Sequence, residues 1–157
     1  MKQPAADIEI RAATEATDQM VAAFRRLIPQ LSGTAAAPDL ASLKEIVAAP
    51  SNTVLLAYER SSGTIVGSLT LVVFPIPTAM RAWIEDVVVD SNARGRGVGE
   101  ALTRHALRIA AERGARTVEL TSRASREAAN RLYVKAGFAR RETNVYRFVL
   151  RNKEGEG

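Results

Sequence analysis

The sequence predicts one α/β domain in which a mixed, mostly antiparallel sheet of about seven strands is flanked by four helices. The 157 residues are the size of one ordinary domain, and 46% of them are hydrophobic, enough for a sizeable core. Strand-like and helix-like segments follow one another in the order β-α-α-β-β-β-α-β-α-β-β, which is neither a strict alternation nor all-β. Because the chain contains no repeat and no linker long enough to divide it, residues 1–157 are expected to form a single domain.

The first elements are identified by short-range patterns. Ile8–Arg11 alternates apolar and charged residues and predicts a strand. The segment from Thr14 to Ile28 has one apolar stripe at helical spacing, with Thr14 as its expected N-cap. A second helix is predicted to begin after Asp39 and to end at about Ala48, before a proline.

Three strands are predicted in the middle of the chain. Thr53–Tyr58 and Ile65–Phe74 are joined by turn-forming residues, which indicates a hairpin. Pro75–Met80 is expected to break the sheet, because proline cannot donate a hydrogen bond to a central strand. Trp83–Val89 then predicts a third strand, which leads directly into a glycine-rich turn.

The C-terminal half is predicted to add two helices and three strands. These segments are Gly97–Arg113, Thr117–Thr121, Arg126–Lys135, Phe138–Arg140 and Asn144–Leu150. Gly114 and Gly137 are expected to end the two helices, and Ser125 is expected to cap the second one.

Composition excludes several kinds of chemistry. The chain has no cysteine, so disulfides, thiolate metal sites and an acyl-cysteine intermediate are excluded. A single histidine, His105, excludes a histidine-rich metal site, and we expect no metal. The N-terminus opens no apolar run of signal-peptide length, and the most apolar stretch is interrupted by glycine and proline. We therefore expect a cytoplasmic protein that does not enter a membrane.

The net charge of +5 is concentrated in the second half of the chain. Residues 81–151 carry 15 basic and 8 acidic side chains, whereas residues 1–80 carry 6 basic and 7 acidic ones. Of the 22 basic residues 18 are arginine, whose planar fork suits phosphate. This half of the chain is suited to a polyanionic ligand, although arginine-rich helices are also ordinary solvated surface.

The strongest local signal is a strand that runs through alternate glycines into a helix. Gly95, Gly97 and Gly99 allow backbone N–H groups to converge near the positive end of the following helix dipole, which favours a phosphate group. The chain has no Gly-Lys pair, so a P-loop is excluded. A dinucleotide fingerprint also fails, because Leu102 stands where its last glycine belongs.

The spacing Arg-x-x-Gly-x-Gly, from Arg94 to Gly99, resembles the acetyl-coenzyme A pyrophosphate loop of the GNAT acetyltransferase superfamily. Upstream, Ile84–Asp90 is similar to the fourth strand of that family. Downstream, Ala128–Phe138 is similar to its second motif, a helix with Leu-Tyr followed by Gly-Phe. The resemblance extends from residue 8 to residue 150, and it implies acetyl-coenzyme A as co-substrate and a sheet splayed between its fourth and fifth strands.

The resemblance also implies where the cofactor lies. Its pantetheine arm would occupy the gap beside Val87–Val89 and pair with the backbone there, and its pyrophosphate would be held by backbone N–H groups. Many relatives carry an asparagine seven residues before the tyrosine of the second motif, which is Tyr133 here. This chain has Arg126 at that position, and Asn130 lies three residues before Tyr133. The implied cofactor-binding residues are Val87, Val88, Val89, Arg94, Gly95, Arg96, Gly97, Val98, Gly99, Glu100, Arg126 and Asn130.

Two catalytic residues are implied for direct attack of an amine on the acetyl thioester. Glu85 is the expected base, because it lies on an otherwise apolar strand in alternation with Trp83. Asp86 would face the other way on a regular strand, but a bulge could exchange the two, and either carboxylate could instead pair with an arginine. Tyr133 is the expected acid that protonates the leaving thiolate, with core packing or protonation by water as the alternatives.

The acceptor is expected to be a small-molecule or peptide amine and not nucleic acid. Asn144 and Tyr146 could line its pocket together with Pro75–Met80, although edge-strand packing or a homodimer contact would explain them equally well. His105 is expected to be a boundary residue rather than a catalyst. A coenzyme A sensor or a basic interaction module on the same fold remains the alternative, although 5% aromatic residues are few for base stacking.

Overall fold

A computed structural model of the chain describes residues 6–150, which form one sheet flanked by helices. The five strands of this range are β1 (Ile8–Ala12), β2 (Asn52–Glu59), β3 (Ile65–Ile76), β4 (Ala79–Val89) and β5 (Thr117–Glu119). Its four α-helices are α1 (Asp18–Leu31), α2 (Leu40–Ala48), α3 (Val98–Glu112) and α4 (Glu127–Lys135). The predicted class and the four helices are confirmed, while the predicted count of seven strands is wrong. The ends of the predicted domain, residues 1–5 and 151–157, lie outside the described residues.

The sheet has the strand order β1-β2-β3-β4-β5. Neighbouring strands are antiparallel except for the last pair, in which β4 and β5 are parallel over three residues, Arg81–Trp83 opposite Thr117–Glu119. β4 continues to Val89, but β5 ends two residues before the predicted Thr121. The two strands therefore separate after Trp83, and this is the expected splay.

Each face of the sheet packs against helices. On one face, α3 buries Leu102 and Ala106 against Leu69 and Leu71 of β3, and all four are fully buried. On the other face, α1 and α2 bury Leu27 and Leu43 in a second cluster with strands β2 to β4. Among residues 6–150, no helix is both long enough and apolar enough to cross a bilayer.

The predicted break at Pro75–Met80 is wrong. β3 and β4 form a continuous hairpin through this segment, in which Pro75 pairs with Met80 and Ile76 with Ala79. β2 ends opposite Val72, so beyond that point β3 has, among the described strands, a neighbour on one side only. Proline is tolerated in such a position because its missing N–H would face away from the neighbouring strand.

The predicted strands Phe138–Arg140 and Asn144–Leu150 are also wrong. After α4 the described chain forms no ladder, and residues 139–150 are exposed throughout. Five large apolar side chains of this segment are 74–87% exposed: Val145, Tyr146, Phe148, Val149 and Leu150. The aromatic and β-branched residues typical of a strand are present, but a strand also requires a partner, and the described chain provides none for this segment.

The helix boundaries show which local signals were reliable. Asp39 caps α2 as predicted, with its carboxylate accepting from the Ser42 N–H at 2.8 Å. α1 begins three residues later than predicted, because Thr17 rather than Thr14 accepts the capping hydrogen bond, from the Met20 N–H at 3.2 Å. The predicted cap of α4 at Ser125 is wrong: Arg126 occupies the N-cap position, and no side chain within the described range caps this helix.

Candidate active site

The turn between β4 and α3 has the backbone conformation that its glycines predict. Gly95 and Gly97 have φ of 74° and 79°, in the left-handed region where a side chain is strained. Gly99 has a different role, because a Cβ there would lie 3.1 Å from a methyl carbon of Leu132 on α4. Two of the three glycines therefore shape the turn, and the third allows α4 to pack closely on α3.

Asp90 holds the entrance to this turn in place. The Asp90 side chain is buried; it accepts a hydrogen bond from Arg26 of α1 at 2.8 Å and another from the Asn92 N–H at 3.2 Å. Its backbone N–H donates to the carbonyl of Val66 at 2.8 Å. Burial alone would raise the pKa of the Asp90 carboxyl. The hydrogen bonds have the larger, opposite effect, so the pKa lies below its ordinary value.

The N-terminus of α3 is suited to an anion. No side chain among residues 6–150 caps it, so the first N–H groups of the helix, from Val98 to Glu100, point out of its positive end. The Glu100 carboxylate in the first turn is engaged by Arg104 and Lys135, each at 3.0 Å, and the hydrogen bond from Lys135 lowers its pKa. The turn thus fits a phosphate group through its backbone.

The two arginines of the turn differ in what their side chains contact. Arg96 donates to Glu59 at 2.8 Å and to Asp7 at 3.1 Å, so its guanidinium is held by two carboxylates. Arg94 is exposed, and its Nε lies 3.4 Å from the carbonyl of Val89. Of these two side chains, Arg94 is therefore the better placed to reach a bound phosphate.

A bulge in β4 brings two carboxylates to the same cleft. Asp86 is the only non-glycine residue in the described range with a positive φ, 50°, and the register of β3 and β4 shifts at this point. Glu85 and Asp86 consequently both line the cleft between the separated strands, whereas a regular strand would turn them to opposite faces. The cleft has a volume of about 140 Å³ and is completed by Leu31, Ile84, Val87, Leu120, Thr121, Arg126 and Tyr133.

The ionisable groups in the cleft are perturbed by their surroundings. Burial raises the pKa of Glu85 above its ordinary value, and the neighbouring charge of Asp86 raises it further. Burial also raises the pKa of the Tyr133 hydroxyl, an effect that the charge of Arg126 partly opposes. Tyr133 is 8% exposed, and its ring packs edge-on against Phe138 with 5.8 Å between the centroids. The cleft therefore places a carboxylate with a raised pKa and a protonated phenol around one space.

The other residues predicted to bind the cofactor differ in their burial and in their hydrogen bonds. Val87 and Val89 are half-buried and Val88 is buried against α1 and α2. Of β4, only Arg81–Trp83 pairs with β5 among the described strands, so the backbone edge after Trp83 faces the cleft instead of a strand. The side chain of Asn130 donates to the carbonyl of Arg123 at 3.0 Å and so fixes the loop that leads into α4.

A second cavity was missed by sequence reasoning. It is an open groove of about 390 Å³, lined by Val72, Phe74, Trp83, Glu85, Thr121 and Val145. It meets the cleft at Glu85 and Thr121, which line both. The signal was present, because Val72 and Phe74 alternate on one strand and Trp83 and Glu85 on the next, but the pairing of the two strands could not be read from either alone.

Three other residues considered from the sequence lie away from both cavities. Tyr146 is 87% exposed, and its hydroxyl lies 3.3 Å from the side-chain nitrogen of Asn144. Neither residue lines the groove, although Val145 between them does. His105 is half-buried on α3 with its ring 3.0 Å from Arg108, and burial together with that charge lowers its pKa. This agrees with its interpretation as a boundary residue.

Comparisons with known proteins bear on this arrangement. A family model described as the acetyltransferase (GNAT) family matches residues 19–138. A mycothiol acetyltransferase of Amycolatopsis mediterranei is 46% identical over 59 residues, which are 38% of this chain and 20% of that protein, so the chain matches only a fifth of this curated relative's length.

Solved structures share the fold over almost the whole chain. An acetyltransferase of Trypanosoma brucei is 26% identical with a TM-score of 0.72, covering 91% of this chain and 100% of the other. An aminoglycoside acetyltransferase from an uncultured soil metagenomic sample has a TM-score of 0.80 at 20% identity, covering 92% of this chain and 97% of the other. At that identity the second likeness shows the fold alone.

Proposed function

The chain belongs to the GNAT acetyltransferase family, and from this premise we propose that it is an N-acetyltransferase. It transfers the acetyl group of acetyl-coenzyme A to a primary amine of a small molecule or peptide, by direct attack in a ternary complex. The observation that carries the proposal is the bulge at Asp86, because it brings Glu85 and Asp86 into one cleft with the Tyr133 side chain.

The residues around the cleft fit the co-substrate. The N–H groups at the start of α3 and the left-handed turn at Gly95 and Gly97 would hold its pyrophosphate. The backbone of Val87 and Val89 has no strand beside it on the β5 side in the described range, so it offers hydrogen bonds to the amides of the pantetheine arm. When bound, acetyl-coenzyme A supplies an activated acetyl thioester.

The chain's own residues then handle the protons. The acceptor arrives as an ammonium ion, attracted by the carboxylates of Glu85 and Asp86. Glu85 removes one proton, directly or through water, and its raised pKa makes it a stronger base than an ordinary glutamate. As nitrogen bonds to the acetyl carbon and the carbon–sulfur bond breaks, the Tyr133 hydroxyl donates its proton to the sulfur. The nitrogen then loses its second proton, which restores the Tyr133 hydroxyl and leaves the neutral amide.

Charge on the described surface favours an amine acceptor over nucleic acid. Several arginines of the second half are paired within the fold, since Arg81 pairs with Glu119, Arg96 with two carboxylates and Arg104 with Glu100. Glu85 and Asp86, which border the cleft and form no ion pair with another residue of the 6–150 range, would repel phosphate and attract a cation.

The direct test is a panel of primary amines assayed with acetyl-coenzyme A by the release of free thiol. The chain has no cysteine, so a thiol reagent measures only the product. We expect turnover with at least one amine, and acetylation of its nitrogen by mass spectrometry. Tight coenzyme A binding without turnover of any amine in the panel would favour the sensor function instead.

We also infer that the protein is a homodimer in which a second copy covers the C-terminal segment, residues 144–150. Its exposed apolar side chains include two aromatics, which bury about 150–250 Å² each when covered. With three aliphatic side chains, one segment would bury on the order of 600 Å², and the surface that covers it would lose a similar area. Two such contacts related by symmetry exceed the roughly 1,200 Å² at which stable interfaces begin.

A further inference from the structure

The groove beside the cleft is formed by one uncovered face of the β3–β4 hairpin. Register pairs place Thr70 opposite Glu85 and Val72 opposite Trp83 on this face. Val72, Phe74 and Trp83 are half-buried, whereas the residues that alternate with them, such as Leu71 and Ile84, face the core and are buried. The groove therefore has an apolar floor open to solvent.

The groove is mostly apolar, with Glu85 and Thr121 as the polar residues of its lining. Val72, Phe74, Trp83 and Val145 supply its apolar lining, and Glu85 marks the end where it opens into the cleft. A ligand whose ammonium group lies at Glu85 would therefore extend its remaining atoms over Trp83 and towards Phe74. The volume of about 390 Å³ is that of a small-ligand site.

The spacing of the strand sets the distance between the two ends of the ligand. Side chains two residues apart on one face are separated by roughly 7 Å, because a strand rises about 3.3–3.4 Å per residue. Trp83 and Glu85 have this separation. A nitrogen held at Glu85 and an apolar group over Trp83 would thus be linked by two or three carbon atoms.

At the far end of the groove, Arg81 pairs with Phe74 across the hairpin. Its guanidinium forms an ion pair with Glu119 and lies over the Trp83 ring at 5.9 Å, whereas its Nε is buried without a hydrogen-bond partner among the described residues. The hydroxyl groups of a sugar would lose their water against Val72 and Trp83 without gaining a partner there, and that loss is costly.

From this arrangement we infer that the acceptor is a primary amine that carries an aromatic or branched apolar group two or three carbons from its nitrogen. The inference rests on the proposed function, of which it specifies the substrate class. Apolar contact with the groove provides the affinity, and the carboxylates at its end orient the nitrogen towards the cleft.

The experiment uses Trp83 as its own reporter, because it is the only tryptophan of the chain. The full-length protein is titrated with 2-phenylethylamine, with ethylamine and with glucosamine, and the intrinsic fluorescence is followed. We expect a saturable change with 2-phenylethylamine at a concentration at least tenfold below any response to the other two. Equal responses to all three amines, or no response to 2-phenylethylamine, would overturn the inference.

Turnover provides a second measurement with a matched control. For the wild type we expect kcat/KM for 2-phenylethylamine to exceed that for ethylamine at least tenfold. Phe74→Gln, which removes apolar lining but keeps Trp83, should lower that ratio about tenfold. Val134→Gln alters an exposed apolar residue of α4 outside the groove and should leave the ratio unchanged.

The two possible failures are distinguishable. If glucosamine or ethylamine is acetylated as well as 2-phenylethylamine, the inference is wrong while the proposed function stands. If 2-phenylethylamine binds selectively but no amine is acetylated, the chemistry of the groove is supported and the proposed enzyme is wrong.

Discussion

At the scale of single residues, the cleft is defined by a carboxylate that is harder to ionise than usual. Glu85 is partly withdrawn from water, and Asp86 places a second negative charge beside it. Both effects favour the protonated form of Glu85, so its pKa lies above the ordinary value of 4.5. A base with a raised pKa accepts a proton from an ammonium ion more readily, provided that the pH is high enough to ionise it first.

Replacing Glu85 by glutamine should therefore change the pH profile as well as the rate. Wild-type kcat/KM should fall as the pH falls through the raised pKa of Glu85, because the protonated carboxyl cannot act as a base. In Glu85→Gln this fall of kcat/KM at low pH, the acid limb of the profile, should disappear. The rate should be about 10²-fold lower than in the wild type, with the affinity for coenzyme A unchanged. Steady-state kinetics across pH 5–9, a range chosen to bracket ~7 where a base is most effective, measure both quantities.

Asp86→Asn is the companion variant, since asparagine tolerates the positive φ at this position. It removes the neighbouring charge, so the acid limb should move to lower pH without disappearing. An unchanged wild-type profile in Glu85→Gln would show that Glu85 is not the base.

Tyr133→Phe tests whether the Tyr133 hydroxyl is the general acid that protonates the leaving thiolate. The ring and its contact with Phe138 are retained, so we expect a melting temperature close to that of the wild type. Loss of the hydroxyl should lower kcat about 10²-fold, at the lower end for a general acid, because a thiolate is already a fair leaving group.

Tyr58→Phe serves as the control, because Tyr58 lies on β2 beneath Arg11 and lines neither cavity. Full activity in Tyr133→Phe, measured where chemistry limits the rate, would leave the tyrosine with a packing role only.

At the scale of elements, α3 is bounded by two glycines with the same backbone conformation. Gly97 precedes it and Gly114 follows it, and both have φ of 79°. They differ in surroundings, because Gly97 adjoins the first turn, whose N–H groups no side chain of the described range caps, whereas a Cβ at Gly114 would meet nothing within 4 Å. Substituting each glycine in turn therefore separates the effect of backbone strain, which both substitutions introduce, from a direct effect on ligand binding, which only the one at Gly97 should have.

Gly97→Asp should weaken coenzyme A binding at least tenfold, because it adds a side chain and a negative charge where the pyrophosphate would lie. Gly114→Asp introduces similar backbone strain at the opposite end of α3, and we expect it to bind coenzyme A like the wild type. Calorimetry on both folded variants makes the comparison. Unchanged affinity in Gly97→Asp would remove the turn from the proposed binding site.

At the scale of the whole molecule, residues 145–150 form an apolar surface that no other part of the described chain covers. Five of the six residues 145–150 are apolar and 74–87% exposed, which is typical of a surface that another molecule covers. Val145 of this segment also lines the groove, so whatever covers the segment lies beside the proposed acceptor site.

We expect the wild type to be a dimer by light scattering coupled to gel filtration at micromolar concentration. The double variant Tyr146→Ser and Phe148→Ser removes the two aromatic side chains from the contact and should be monomeric. Val134→Ser, which removes an isolated apolar side chain that is 67% exposed, should remain dimeric. A monomeric wild type over the whole concentration range would contradict the homodimer.

Much of the fold could be predicted because its signals are local. The cap of α2 at Asp39, the start of α3 after Gly97 and its end at Gly114 each depend on residues within one helical turn. The glycine-rich turn and the flanking motifs likewise lie within short stretches, and they indicated the GNAT family that the comparisons show.

Features that depend on distant partners were decided by the tertiary structure. Residues 144–150 are rich in the aromatic and β-branched residues that strands favour, but whether they form a strand depends on a sheet edge elsewhere. Pro75 fits within β3 only because β2 ends opposite Val72. The bulge at Asp86 arises from the register between two strands, and the groove from which of their side chains face each other. Local sequence determines backbone preference, whereas pairing between strands determines which side chains share a cavity.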